Sequence, residues 1–200
     1  MAATVLDMSM SLDGFIAGPN LSRENGLGDG GSRLHEWFLG PTGSFDDRVL
    51  APLSGPDERA FDEIMATGAV LVGRGTIEPA GAWNGDHHDG VPIVVMSRHP
   101  VPPEFAGYER VRYVSDLADA VRLAREGAGE RDVLVHGAEM AQLLLRAGEL
   151  NVIQLHLVPV LLGQGRRLFE GMPAEQTELA QVRAEQGREA LHLRYRVLSK

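Results

Sequence analysis

The chain contains no cysteine. Disulfides, iron–sulfur clusters, cysteine–zinc sites and thiol nucleophiles are excluded together, and a reducing, cytoplasmic setting is the natural expectation. Lysine is almost absent as well: the sole one is the terminal Lys200, which removes Schiff-base chemistry and the lysine of phosphate-binding loops. Arginine must carry the positive charge at any anion site. No apolar run approaches the ~18 residues a membrane span needs. The opening Met1-Ala2-Ala3-Thr4-Val5-Leu6-Asp7 lacks both the basic start and the apolar stretch of an export signal. Positive charge is scarce overall, with 19 Lys+Arg against 28 Asp+Glu and a net charge of −9. Nucleic acid and acidic membranes are therefore repelled on average, and an anionic ligand needs a local arginine cluster. The expected partner is a small molecule, not nucleic acid or a membrane.

What is present is enough for one core: 200 residues, 44% hydrophobic, read as a single domain over 1–200. From Thr4 to Leu12, Leu6, Met8, Met10 and Leu12 alternate with Asp7, Ser9 and Ser11, the period of a strand. Residues 18–55 are rich in Gly, Pro, Ser and Asp and read as a long loop with a helical turn or two near Trp37 and Phe38. Pro56 opens a helix with acids in its first turn, ending near Gly68. Ala69 to Val72, Val91 to Met96 and Asp132 to His136 are short apolar runs of the kind covered on both faces, and Leu117 to Ala128 and Ala138 to Ala147 read as helices. This alternation is the grammar of right-handed crossovers in a mostly parallel sheet. Val152 to Leu162, Thr177 to Gln186 and Ala190 to Leu198 are extended, and an antiparallel hairpin is expected to close the sheet.

Three turns follow strands. Val72-Gly73-Arg74-Gly75-Thr76 offers backbone N–H groups with an arginine and a hydroxyl, Met96-Ser97-Arg98 pairs a hydroxyl with a guanidinium, and Val135-His136-Gly137-Ala138-Glu139 points a helix start at the same edge. Each alone is an ordinary turn. Together they share the edge where open α/β sheets bind ligands, and one extended phosphorylated ligand would touch all three. By contrast, Gly26-Leu27-Gly28-Asp29-Gly30-Gly31 has the glycine spacing of a dinucleotide turn but no strand before it, and reads as a flexible loop. Asp86-His87-His88-Asp89 lacks the spacing of a metal site and reads as a solvated turn, while His156 and His192 read as sheet-face residues.

The run Met8-Ser9-Met10-Ser11-Leu12-Asp13-Gly14-Phe15-Ile16-Ala17-Gly18 resembles the opening of the dihydrofolate-reductase-like family that includes the reductase half of the bifunctional riboflavin-biosynthesis enzyme, the RibD C-terminal domain. So do Gly73 to Thr76, Ser97-Arg98, Pro159-Val160-Leu161-Leu162-Gly163-Gln164-Gly165 through Leu168-Phe169, and His192 to Val197, in order along nearly the whole chain. The resemblance implies a three-layer α/β fold with a mostly parallel sheet and an antiparallel C-terminal hairpin. It also implies NADPH as cofactor, and hydride transfer to a C=N or C=O bond of a small, heterocyclic substrate such as 5-amino-6-(5-phosphoribosylamino)uracil. It places the pyrophosphate at Gly73, Arg74, Gly75 and Thr76 and at Gly137, Ala138, Glu139 and Met140, the 2′-phosphate at Ser97 and Arg98, and the nicotinamide amide at Ala17. Trp37, His136, Gly163 and Gly165 fall on the substrate side, and a homodimer is expected from the sheet edge left by Val152 to Leu162 and the closing hairpin. The third turn departs from the family's Gly-Gly by placing His136 before Gly137, and Glu149-Leu150-Asn151-Val152 lacks two of the family's acids. With no cysteine, a deaminase zinc site is out of reach, so only reductase chemistry carries over.

Asp13 is the nearest acid to the expected nicotinamide site, either as proton donor or as the cap of the turn before Gly14, and Trp37 is either a stacking surface or a buried loop anchor. Dihydrofolate reduction and a non-catalytic NADPH-binding sensor are the rival readings; the first needs an acid on the helix after the first loop, among Asp57, Glu58, Asp62 and Glu63.

Overall fold

The sequence's period-two and continuous apolar runs assemble into an eight-stranded sheet. The computed structural model describes residues 2–41, 50–172 and 175–198. In chain order the strands are β1 (Thr4–Ser11), β2 (Phe15–Ala17), β3 (Ala69–Gly73), β4 (Ile93–Met96), β5 (Val111–Val114), β6 (Val133–His136), β7 (Val152–Val158), β8 (Arg166–Arg167), β9 (Leu179–Gln186) and β10 (Leu191–Val197). The helices are α1 (Glu36–Leu39), α2 (Gly55–Met65), α3 (Arg74–Ile77), α4 (Leu117–Ala128) and α5 (Ala138–Ala147). The main sheet runs β5-β4-β3-β6-β1-β7-β10-β9. Its first six strands pair in parallel, and β10 is antiparallel to both β7 and β9.

Two layers cover the sheet. Leu6, Leu71, Val133 and Val135 pack under Ala120, Val121 and Ala124 of α4 and Met140, Ala141 and Leu144 of α5. α4 starts where the Asp116 side chain accepts the Asp119 N–H at 3.0 Å and stops at Gly129, whose φ of +65° ends helical geometry. The opposite face is covered by α2, α3 and 3₁₀ turns at Gly31–His35 and Gly81–Gly85.

Several expected boundaries moved for local reasons. β7 ends at Val158 because Pro159 has no N–H to pair. β4 begins only after Pro92, and β5 is a short edge strand with no sequence signature. The extended run from Val152 is not a sheet edge: β7 lies between β1 and β10, and the free edges are β5 and β9. The altered segment 149–151 clamps the start of β1, with the Asn151 carboxamide oxygen accepting the Thr4 N–H at 2.9 Å and the Thr4 hydroxyl donating to the Glu149 carbonyl.

One register detail positions the site. β1 pairs with β6 only as far as Leu6↔Val135, but with β7 as far as Ser11↔Val158. From Asp7 onward β1 has parted from β6, and the sheet splits at the carboxyl ends of its strands.

Candidate functional site

The split is bridged twice. The His136 Nδ1–H donates to the Asp7 carbonyl at 2.9 Å, and the Gly137 N–H reaches the Met8 sulfur at 3.3 Å. Beside it, the two turns expected to hold pyrophosphate lie against each other. Gly137 has φ +90°, and a Cβ there would stand 2.2 Å from the Thr76 hydroxyl; one at Gly73 would stand 3.9 Å from the Glu139 carboxylate. Among the described residues no side chain caps the N-terminus of α5, so the N–H groups of Ala138, Glu139 and Met140 form a positive helix end, the feature that binds phosphate. Of these residues, Ala138 and Met140 have buried side chains and offer only backbone.

Arg166, missed in the sequence reading, joins this cradle. Its guanidinium donates to the Gly75 carbonyl at 2.6 Å. No periodicity marks a single arginine after a glycine loop, and only the pairing of β2 with β8 brings it to α3. Arg74 is turned to Glu78 at 2.5 Å, and the guanidinium hydrogen-bonded to the turn is that of Arg166. At the far edge, Ser97, Arg98, His99, Arg112, Tyr113 and Ser115 contribute to the lining of a groove of about 630 Å³. Arg98 is exposed there. The Ser97 hydroxyl is engaged locally, donating to the His99 carbonyl at 2.9 Å and accepting the His99 N–H at 3.0 Å.

Asp13 holds a loop. Its carboxylate accepts the Ser11 hydroxyl at 2.6 Å and the N–H groups of Leu162 and Gly163 at 3.1 and 2.7 Å. The Ser11 hydroxyl, and then the Gly163 and Leu162 N–H groups, hold its carboxyl down to about 2. A group of that acidity carries no proton at neutral pH, so Asp13 is no donor in this state, and it clamps the 162–163 loop while Ser11 ties the turn before Gly14. The same loop needs Gly165, where a Cβ would lie 2.1 Å from the Ala17 carbonyl. Gly163 sits in the left-handed region at φ +74°. These two glycines shape the wall beside Ala17. Since the folded carboxyl lies below the unfolded value of ~3.9, Asp13 stabilises the loop above about pH 4, and that contribution fades as pH falls toward 2. Asp13→Asn should therefore flatten the fall of the thermal midpoint between pH 4 and 2. An unchanged slope would refute the clamp.

Trp37 corrects one expectation. It is 1% exposed, its indole N–H donates to the Ser9 hydroxyl at 2.9 Å, and its ring lies 4.5 and 4.9 Å from the His156 and His192 rings. It is a buried anchor and presents no face for a substrate to stack on.

The histidines extend one expectation and correct another. His156 and His192 sit within an unbroken buried chain. His156 Nε2 is 3.2 Å from both Asp7 carboxylate oxygens, its Nδ1 is 2.7 Å from His192 Nδ1, and His192 Nε2 is 2.8 Å from Asp57 Oδ1. Burial pushes the His192 imidazole below its ordinary value, while Asp57 pulls it back up. Of the four acids on α2, Asp57 is buried on the sheet, Glu63 pairs with Arg183 at 2.7 Å, and Glu58 and Asp62 are exposed. Nor is 86–89 a solvated turn. His88 is buried against Thr67, His87 bridges it to His136 at 2.7 and 3.2 Å, and burial pushes His88 and His136 down. A left-handed turn through Ala82, Trp83 and Asn84, with φ of 51, 48 and 53°, sets the Trp83 ring 4.6 Å from His87. Among the described residues no cluster of His, Asp or Glu could hold a metal ion. The 26–31 glycines serve close backbone approach: a Cβ at Gly28 would lie 2.3 Å from the Gly18 carbonyl.

A mostly parallel sheet split beside its first strand, with glycine turns at the strand ends and an antiparallel terminal hairpin, defines the dihydrofolate-reductase-like fold. The sequence matches the RibD C-terminal domain over residues 3–193, and the chain belongs to that family. It is similar to a putative riboflavin biosynthesis protein from Shewanella sp. PV-4, with TM-score 0.71, 20% identity, and coverage of 98% of this chain and 99% of that one. Acinetobacter baumannii RibD gives TM-score 0.62 at 17% identity, covering 100% of this chain but 59% of that one. Enterococcus faecalis dihydrofolate reductase, complexed with NADP(H) and RAB-propyl, gives 0.60 at 15%, covering 98% and 97%. No curated protein sequence matches the chain. Among the described residues no helix is long and apolar enough to cross a membrane.

Proposed function

We propose that the chain is an NADPH-dependent reductase that binds its cofactor extended along the strand ends and reduces a C=N or C=O bond of a small heterocyclic substrate. One observation carries this reading: Gly137 is pressed onto Thr76 beside the uncapped start of α5 and the Arg166 guanidinium. That cradle of N–H groups and one fixed cation suits a pyrophosphate. When bound, the cofactor supplies a hydride. The residues present do the rest: Gly73 to Thr76 and Ala138 to Met140 hold the diphosphate, Ala17 and the Gly163–Gly165 loop wall the nicotinamide, and Arg98 with Arg112 marks the 2′-phosphate groove. His136 reaches into the split in place of the family's glycine. Membership in the RibD C-terminal domain family and the fold shared with an NADP(H)-bound reductase support the assignment.

The 2′-phosphate arm is tested by charge. In a chain of net charge −9, a phosphate dianion needs a local cation, and a hydrogen bond to a charged group is worth roughly 1.5–3 kcal/mol. Arg98→Ala should weaken NADPH binding about ten- to a hundredfold and leave NADH unchanged. Ser97→Ala should cost less, toward the lower end of ~0.5–1.5 kcal/mol, because its hydroxyl hydrogen already points to His99. Titration of both cofactors against the three proteins decides it. Equal losses for NADH and NADPH in Arg98→Ala would move the phosphate elsewhere.

A further inference from the structure

Proton accounting along the buried chain gives a result beyond the cofactor reading. Three hydrogen-bond contacts link Asp7, His156, His192 and Asp57 in series. A carboxylate only accepts, so each end contact needs an N–H on Nε2, and the central contact between the two Nδ1 atoms needs one N–H facing one lone pair. Two neutral imidazoles bring two protons; three contacts require three. The Asp57 end is fixed further by the Arg188 N–H, which donates to Oδ2 at 3.0 Å. No solvent completes the centre, since His156 and His192 are 1% and 2% exposed and Trp37 covers both rings.

We infer that this chain is a proton-holding site: His156 and His192 share one excess proton between their Nδ1 atoms. Asp7 stands where β1 leaves β6, its carboxylate in the chain and its carbonyl accepting from His136. Besides the two carboxylates, the titratable groups coupled to His156 are His35 from the 3₁₀ turn before α1 and His136 from β6, and burial pushes both of those imidazoles below their ordinary value. Further along β10, Arg194 is held by Glu63 at 3.3 Å.

The test begins with nitrogen-15 NMR of histidine-labelled protein, which requires no variant and no ligand. The expected result is one low-field proton coupled to nitrogens of both His156 and His192. Two neutral imidazoles with a protonated Asp7 or Asp57 carboxyl would overturn the site. His156→Gln and His192→Gln keep an N–H for their carboxylates but cannot share a proton, so the low-field signal should vanish in each. Its survival in either variant would overturn the site.

Discussion

Trp37→Ala is expected to lower the thermal midpoint by about 6–20 °C. Removing a fully buried tryptophan costs about 3–5 kcal/mol through lost burial and the cavity left behind, and each kcal/mol moves the midpoint of a domain of this size by about 2–4 °C. The ring is enclosed by Phe38, His156 and His192 at centroid distances of 4.8, 4.5 and 4.9 Å. The Ser9 hydroxyl also loses its donor. Trp37→Phe keeps most of the apolar volume and gives up the N–H, so its cost should be smaller, on the order of 1 kcal/mol or a few degrees. Calorimetry of the three proteins without cofactor is the check. A midpoint unchanged in Trp37→Ala would mean that the indole lies open to a ligand after all.

Gly137→Ala should be among the more damaging single methyl groups in the molecule. The residue has φ +90° and ψ 151°, a region essentially reserved for glycine and costing about 1–3 kcal/mol for other residues. The new Cβ would stand 2.2 Å from Thr76 Oγ1 and 3.2 Å from its Cβ, and relieving such overpacking costs a further 1–3 kcal/mol or so. Both turns of the cradle must then move. NADPH affinity is expected to fall about a hundredfold or more, with a lower thermal midpoint. Gly148→Ala is the control: φ is +70° with nothing within 4 Å of the added methyl, so it should cost about 1 kcal/mol of stability and nothing in affinity. Combining Gly137→Ala with Thr76→Ala removes the Oγ1 overlap and leaves the approach to Cβ and the strain, so the double variant should recover part of the lost stability. Calorimetry and cofactor titration read both quantities. Full NADPH affinity in Gly137→Ala would remove this turn from the cofactor site.

The parallel half of the sheet was legible because its strands are covered on both faces and their sequences say so: Ala69 to Val72 and Val133 to Val135 are continuous apolar runs, and α4 and α5 begin and end at the residues their periodicity marks. β5 was not legible, because Val111-Arg112-Tyr113-Val114 is a four-residue strand at the sheet edge, paired with β4. The glycine turns were readable from local spacing. Arg166 was not, since its place beside Gly75 depends on contacts 91 residues apart in sequence. The partners of the histidines were hidden for the same reason. His156 and His192 look like isolated polar positions in alternating strands, and their partners Asp7 and Asp57 lie on β1 and α2; registers 36 to 149 residues apart join them. Trp37 could be read either way until Ser9 was found beneath its indole N–H.

The central claim is that a nicotinamide dinucleotide lies along the strand ends, and backbone hydrogen exchange with and without saturating NADPH tests it most directly. Protection is expected at three separated segments, Gly73 to Thr76, Ser97 to Arg98 and Gly137 to Met140, with β9 and the solvent face of α4 unchanged. NADH should reproduce the first and third and leave the second unprotected. Protection confined to one segment, or none at all at NADPH concentrations that saturate binding, would contradict the account.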